Sequence, residues 1–131
     1  MALKLTLKPG ERVAVNGAVI VNGDRRSTFL VENQARVLRE RDILKPEAAD
    51  TPAKRIYLPI MMMYLDPANA EAYRKEYETR LTEFAQAIST PEALSSCLKL
   101  AAHVANGDLY KSLTLCRSLI EFESSRLAHV A

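Results

Sequence analysis

The residues Leu3-Lys4-Leu5-Thr6-Leu7-Lys8 alternate strictly, and this limits what the chain can fold into more than any other feature. Leu3, Leu5 and Leu7 fall on one side of an extended chain, and Lys4, Thr6 and Lys8 on the other. A period of two means a strand with one apolar and one basic face. Pro9-Gly10 ends it, because proline has no N–H for a ladder and glycine allows a sharp turn. The rest of the chain must complete that sheet or cover it.

Four more short β-forming runs follow: Arg12–Val15, Ala18–Val21, Ser27–Val31 and Ala35–Arg39. Asn16-Gly17 is a strong hairpin signal, since both residue types accept positive φ, and Asn22-Gly23 repeats it. Five strands in about forty residues read as a meander or small barrel. A sheet so small keeps open edges and little core, so it pairs with another copy or is covered by helices.

At Lys45-Pro46-Glu47-Ala48-Ala49-Asp50 the strand pattern ends. Thr51-Pro52 is a cap and first-turn pair opening a helix in which Pro59 is expected to kink or split the chain. Ile60–Leu65 is apolar all round and expected to be buried on more than one side. Asp66-Pro67 opens a helix with Tyr73, Tyr77, Leu81, Phe84 and Ile88 on one stripe and i,i+4 pairs Glu71–Lys75 and Glu76–Arg80 outside. Ser89-Thr90-Pro91 starts another, with Leu94, Leu98, Ala101 and Ala105 read as its buried row. Asn106-Gly107 stops it, and Asp108 opens the last, with Leu109, Leu113, Cys116, Ile120 and Leu127 as a stripe. The expected fold is α+β, a five-stranded antiparallel sheet or barrel over residues 1–46 and three or four helices over 47–131.

Chemistry is sparse. The only histidines are His103 and His129, and neither sits near Cys97 or Cys116 at the spacing of a structural zinc site. No Gly-rich phosphate loop, nucleophile elbow or zincin motif occurs, so we expect no enzyme, metal or cofactor. Two cysteines do not make a disulfide framework, the start lacks a signal-peptide core, and Ile56–Leu65 is too short to span a bilayer. These point to a cytoplasmic protein away from the membrane.

Charge is uneven although the net is only +2. Residues 1–47 hold nine Lys and Arg against six acids, a local +3. Lys4, Lys8, Arg25, Arg26, Arg36, Arg39 and Arg41 are therefore the candidate nucleic-acid contacts, with a solvated sheet rim as the plainer reading. In the helical part, Ile56, Tyr57, Met61, Met62 and Tyr64 are candidate partner contacts, because methionine-rich surfaces adapt to partners, although such a run more often fills a core.

The run LKPGER, the turns NGAVI and NGDRR, the segment VLRERDI and the later YLPIMMMYLD resemble the FlbT family of flagellin regulators, over essentially the whole chain. The resemblance implies a post-transcriptional regulator that acts on the 5′ untranslated leader of flagellin mRNA, mostly as a repressor promoting its decay and in some members positively. It also implies a small partner protein, FlaF. The first third is similar to the carbon storage regulator family, five-stranded proteins that bind leader hairpins as intertwined dimers. Leu5, Gly10 and Glu11 match its first-strand pattern, and Val37, Arg39, Glu40 and Ile43 its last. Arg39 takes the place of an RNA-contacting arginine there, whereas Leu7 stands where a second arginine is usual; Lys4 and Lys8 are the candidates to replace it from the opposite face. The similarity implies a homodimer through the β lobe, or a tetramer. The rival expectation is an adaptor that grips FlaF through its helices and never touches RNA.

Overall fold

A computed structural model of the chain describes residues 2–88 and 90–130, with side chains as far as Arg126. The fold is α+β, with five antiparallel strands followed by four helices, in two compact units, Met1–Ile43 and Leu44–Ala131.

In the first unit, β1 (Leu3–Leu7), β2 (Arg12–Val15), β3 (Ala18–Val21), β4 (Ser27–Val31) and β5 (Val37–Arg39) fall where the alternating first stretch and the four β-forming runs predict, the last two residues shorter than expected. The pairing is not a meander. β1 pairs with β4, and β3-β2-β5 form a separate sheet. Asn16-Gly17 is the expected hairpin turn, with φ of 52° and 86°. Asn22-Gly23 is not a hairpin: β3 and β4 do not pair, and the Asn22 side chain is buried instead of sitting at a turn tip. One core cluster consists of Leu5, Leu7 and Val13, with Val15, Val31 and Val37 packed against it, and Ala14 and Leu38 are buried as well. All four residues of β3 are exposed, as are Phe29 and Leu30 of β4.

In the second unit, α1 (Pro52–Leu65) packs against both α2 (Ala70–Ala87) and α4 (Leu109–Val130), and α3 (Pro91–Ala105) packs on α4. α1 runs unbroken through Pro59, so of the two expected outcomes, a kink or a split, the split does not occur. Losing one ladder bond costs about 3 kcal/mol, but Ile56, Tyr57, Ile60, Met61 and Met63 are buried around it, each contributing roughly 1.5–3 kcal/mol. Thr51 caps α1 as expected and Thr90 caps α3, accepting from the N–H groups of Lys54 and Ala93. Asp66 does not cap α2; a 3-10 turn over Pro67–Asn69 intervenes, and its carboxylate accepts from Tyr73 and Asn69 instead. On α2, Tyr77 and Phe84 are buried, and Arg80 pairs with Glu76 at 2.7 Å.

The buried row of α3 is Ala93, Cys97, Leu100 and Val104, which corrects the expected one: Leu94 and Leu98 face outward, 39% and 74% exposed. Both rows satisfy helical spacing, so periodicity alone does not choose between them. In α4 the buried residues are Ser112, Leu113, Cys116, Leu119 and Glu123; Leu127 of the expected stripe lies outside the described side chains.

Candidate nucleic-acid interface

The turn Lys8-Pro9-Gly10-Glu11 organises the basic side of the first unit. Proline in its second position and Gly10 at φ 72° in its third suit a type II turn, closed by Glu11 N–H to the Lys8 carbonyl at 3.1 Å. The Glu11 carboxylate accepts from Lys8 N–H at 2.8 Å, which holds the turn rigid. Glycine is needed at position 10 because any Cβ would be strained at that φ.

This turn faces the end of β5 across an open cleft of about 490 Å3, lined by Lys8, Pro9, Gly10, Glu11, Arg39, Glu40 and Arg41. Lys8 and Arg41 are exposed and Arg39 is half-buried, opposite Val13 in the β2–β5 ladder. Three cations meet two carboxylates here, so the cleft offers both donors and acceptors. Such a mixture suits the edges of an unpaired base as well as a phosphate.

The backbone of Arg25 is tied to the end of β1 by Asn22. The Asn22 side-chain nitrogen donates to the carbonyls of Leu7 (3.2 Å), Lys8 (2.8 Å) and Arg25 (2.8 Å). Backbone bonds from Gly10 N–H to the Gly23 carbonyl and from Asn22 N–H to the Glu11 carbonyl, both 2.9 Å, continue the β2–β3 ladder into this region. Arg26, next to Arg25, is exposed. Sequence reasoning assigned Asn22 to a turn and so missed its positioning role; its three acceptors, scattered between residues 7 and 25, leave no signature in spacing.

The other two predicted residues stand apart. Lys4 projects from the outer face of β1, opposite Leu30. Arg36 belongs to the far end of the β2–β5 ladder, where its N–H donates to Asn16 Oδ1 at 2.9 Å and its carbonyl accepts from Asn16 N–H at 2.8 Å. It is three positions from Arg39, roughly 10 Å along a strand. No aromatic residue lines the cleft; Phe29, the sheet aromatic, is on β4.

Among the candidate partner contacts, Ile56, Tyr57 and Met61 are 0%, 3% and 4% exposed and lie inside the helical core. Met62 and Tyr64 are half-exposed. Met62 lines a groove of about 300 Å3 along α1 and α2 with Arg55, Leu58, Pro59, Tyr73 and Arg80. Tyr64 stacks obliquely on Tyr110, ring centres 6.0 Å apart.

Cys97 and Cys116 are free and buried, and burial pushes both thiols up from their ordinary pKa. His103 Nδ1 lies 3.7 Å from the Asp108 carboxylate. Among the described residues no three His, Cys, Asp or Glu side chains are placed to hold a metal, and no helix is long and apolar enough to cross a membrane. The side chain of His129 lies outside the described residues.

Residues 3–127 match the family model described as "Flagellar protein FlbT". The chain is 53% identical over 131 residues to a probable flagellum biosynthesis repressor protein FlbT of Caulobacter sp. (strain K31), covering all of both proteins. It is 50% identical to the flagellum biosynthesis repressor protein FlbT of Caulobacter vibrioides (strain ATCC 19089), covering all of this chain and 93% of that one. Against a probable repressor of the same name from Rhodopseudomonas palustris (strain TIE-1) it is 41% identical, covering 98% and 99%. No solved structure matches the chain.

Proposed function

Because this chain belongs to the FlbT family of flagellar proteins, we propose that it regulates flagellin synthesis in the cytoplasm by binding the 5′ untranslated leader of flagellin mRNA directly and altering its translation or decay. The relatives are named repressors of flagellum biosynthesis, which supports a regulatory role in that process. One observation carries the reading: Lys8, from the turn after β1, converges on one open cleft with Arg39 and Arg41, from the end of β5 and the turn after it. Phosphates would be met by the exposed cations, and an unstacked base by the half-buried Arg39 with Glu11 and Glu40 as acceptors. Guanidinium planes provide the stacking surface where the cleft lacks an aromatic ring.

The protein acts in this reading as a homodimer through the β lobe, or as a tetramer. The exposed, uncharged strands β3 and β4 support it, since free apolar edges are templates for pairing with a second copy. Gel shifts of the purified protein with the flagellin leader and with an unrelated leader, at low and physiological salt, test direct binding. A salt-sensitive shift of the flagellin leader alone supports it; no shift at either salt overturns it.

A second reading rests on the α1–α2 groove, where Met62, Leu58 and Tyr73 offer apolar surface between Arg55 and Arg80. There the protein is an adaptor that grips FlaF and reaches the message only through it. Binding of FlaF that is lost in Met62→Glu, together with a leader shift seen only when FlaF is added, supports this alternative.

A further inference from the structure

A cavity of about 550 Å3 opens in the helical unit between the start of α1, the end of α2 and the C-terminal half of α4. Phe84 and Ala87 of α2, Ile88 after it and Phe122 of α4 give it apolar walls, and Phe84 is sunk into the core. The volume lies within the roughly 300–1,000 Å3 of small-molecule sites. Its charged groups are Asp50, Glu123 and Arg126. Glu123 is 9% exposed, and only one of its oxygens is engaged: Oε2 accepts from Ala53 N–H at 2.9 Å, while Oε1 has no hydrogen-bond partner among the described residues. No sealed-off side-chain oxygen or nitrogen is left unpaired among those residues, so Oε1 opens onto the cavity that Glu123 lines.

We infer that this cavity binds a small organic cation, a protonated amine or guanidinium carried on an apolar body, with Glu123 Oε1 meeting the charge. A carboxylate so deep with one oxygen unengaged gains most from a charge-assisted hydrogen bond. The aromatic wall favours the same charge: the Arg126 guanidinium stands over the Phe122 ring, 5.3 Å from its centre. Arg126 is exposed, so it competes for that ring without forming the floor of the cavity. Asp50 adds a second carboxylate at the rim, where its only printed partner is Lys54 at 3.5 Å, a solvent-facing pair worth little. An anion is disfavoured even though α1 begins here. Pro52 has no N–H, and those of Ala53 and Lys54 already donate to Glu123 and Thr51. The same shortage of free donors selects a small molecule over a peptide, whose backbone carbonyls would find no partner in that turn.

The inference is independent of the RNA reading. The cavity belongs wholly to the helical unit, and the basic cleft to the other.

Amide chemical-shift titrations of the full chain with phenylbutylamine test it, with phenylbutanol and phenylbutyrate as neutral and anionic counterparts. The amine should saturate with a Kd of about 1 mM or below, ordinary for a ligand of that size. It should shift the amides of Phe84, Ile88 and Phe122, and the alcohol and the acid should bind about tenfold more weakly or worse. Glu123→Gln keeps an acceptor for Ala53 N–H and so keeps the fold. It should weaken the amine by about tenfold or more, as loss of a charged hydrogen bond does, and leave the alcohol unchanged. Arg126→Gln, at an exposed position, should tighten the amine by about two- to fivefold, because the competing cation is gone. Unsaturable binding of the amine, equal binding of amine and alcohol, preference for the acid, shifts only outside the cavity, or an amine affinity indifferent to Glu123→Gln would each overturn the inference.

Discussion

Asn22 donates from its side-chain nitrogen to the backbone carbonyl of Lys8 at 2.8 Å, joining the end of β1 to the segment that carries Arg25. Asn22 is 8% exposed, so the carbonyls it serves have little water to replace it. Asn22→Ala should cost roughly 1–3 kcal/mol, the penalty for buried polar groups left unpaired. Chemical denaturation with an unchanged m-value would register it. Leader binding should fall as well, because Lys8 and Arg25 lose their common anchor.

Arg39 and Arg36 differ in site although both are half-buried arginines near β5. Arg39 lines the cleft and Arg36 lies at the other end of the ladder. Arg39→Ala should therefore weaken leader binding by about 1–3 kcal/mol, as loss of a base-reading or stacking contact does, while Arg36→Ala should change it little. Lys8→Ala should act mainly through charge, reducing the slope of log affinity against log salt by about 0.7 if it meets one phosphate. Titrations at three salt concentrations separate the two behaviours. Equal losses at Arg36 and Arg39 would move the site off the cleft.

Strand positions were legible because β1 alternates apolar and polar residues and β2 is a short β-forming run, with an unambiguous Pro-Gly turn between them. The pairing was not. Asn22-Gly23 has the composition of a hairpin turn, yet Asn22 spends its amide on three distant carbonyls, and tertiary hydrogen bonds outweigh a local preference. Arg39 was picked out by resemblance and charge, but its convergence with Lys8 comes from long-range folding that no local spacing encodes. In α3, two apolar rows fit helical spacing equally, and burial was settled by the neighbouring α4. The run Met61-Met62-Met63 illustrates the same limit: composition says apolar, but only packing separates buried Met61 and Met63 from half-exposed Met62.

Glu123 reaches from α4 to the first turn of α1, where its Oε2 accepts from Ala53 N–H at 2.9 Å. It caps one of the donors that a helix start leaves unpaired, and its charge complements the positive end of the helix dipole. Glu123→Ala should destabilise the protein by about 1–3 kcal/mol, and Glu123→Gln, which keeps an acceptor, by about 0.3–1 kcal/mol through the dipole alone. Thermal melts of both variants measure the difference. Equal losses would mean that charge, not the hydrogen bond, holds the two helices together.

Alkaline conditions should unfold the helical unit earlier than surface titration alone would. Burial pushes the Tyr77 phenol up to about 12 from 10.0 and raises the Cys116 and Cys97 thiols. For each, the folded state favours the protonated form. Their contribution is complete below the unfolded pKa values and is lost as pH rises through the folded ones. For Tyr77 the window runs from about 10 to about 12, worth under about 3 kcal/mol at roughly 1.4 kcal/mol per pH unit. The thiols begin to contribute lower, from about 8.5, their ordinary value. Tyr77→Phe should therefore flatten the fall of stability between pH 10 and 12 while leaving the fall between 8.5 and 10 in place. Cys116→Ala should flatten the fall from about 8.5 upward across the whole range, since burial holds that thiol above the Tyr77 phenol, at the cost of a small cavity at neutral pH. Denaturation midpoints measured every half unit from pH 7 to 11.5 would resolve the two, and a Tyr77→Phe profile parallel to the parent would show that the phenol ionises freely in the folded protein.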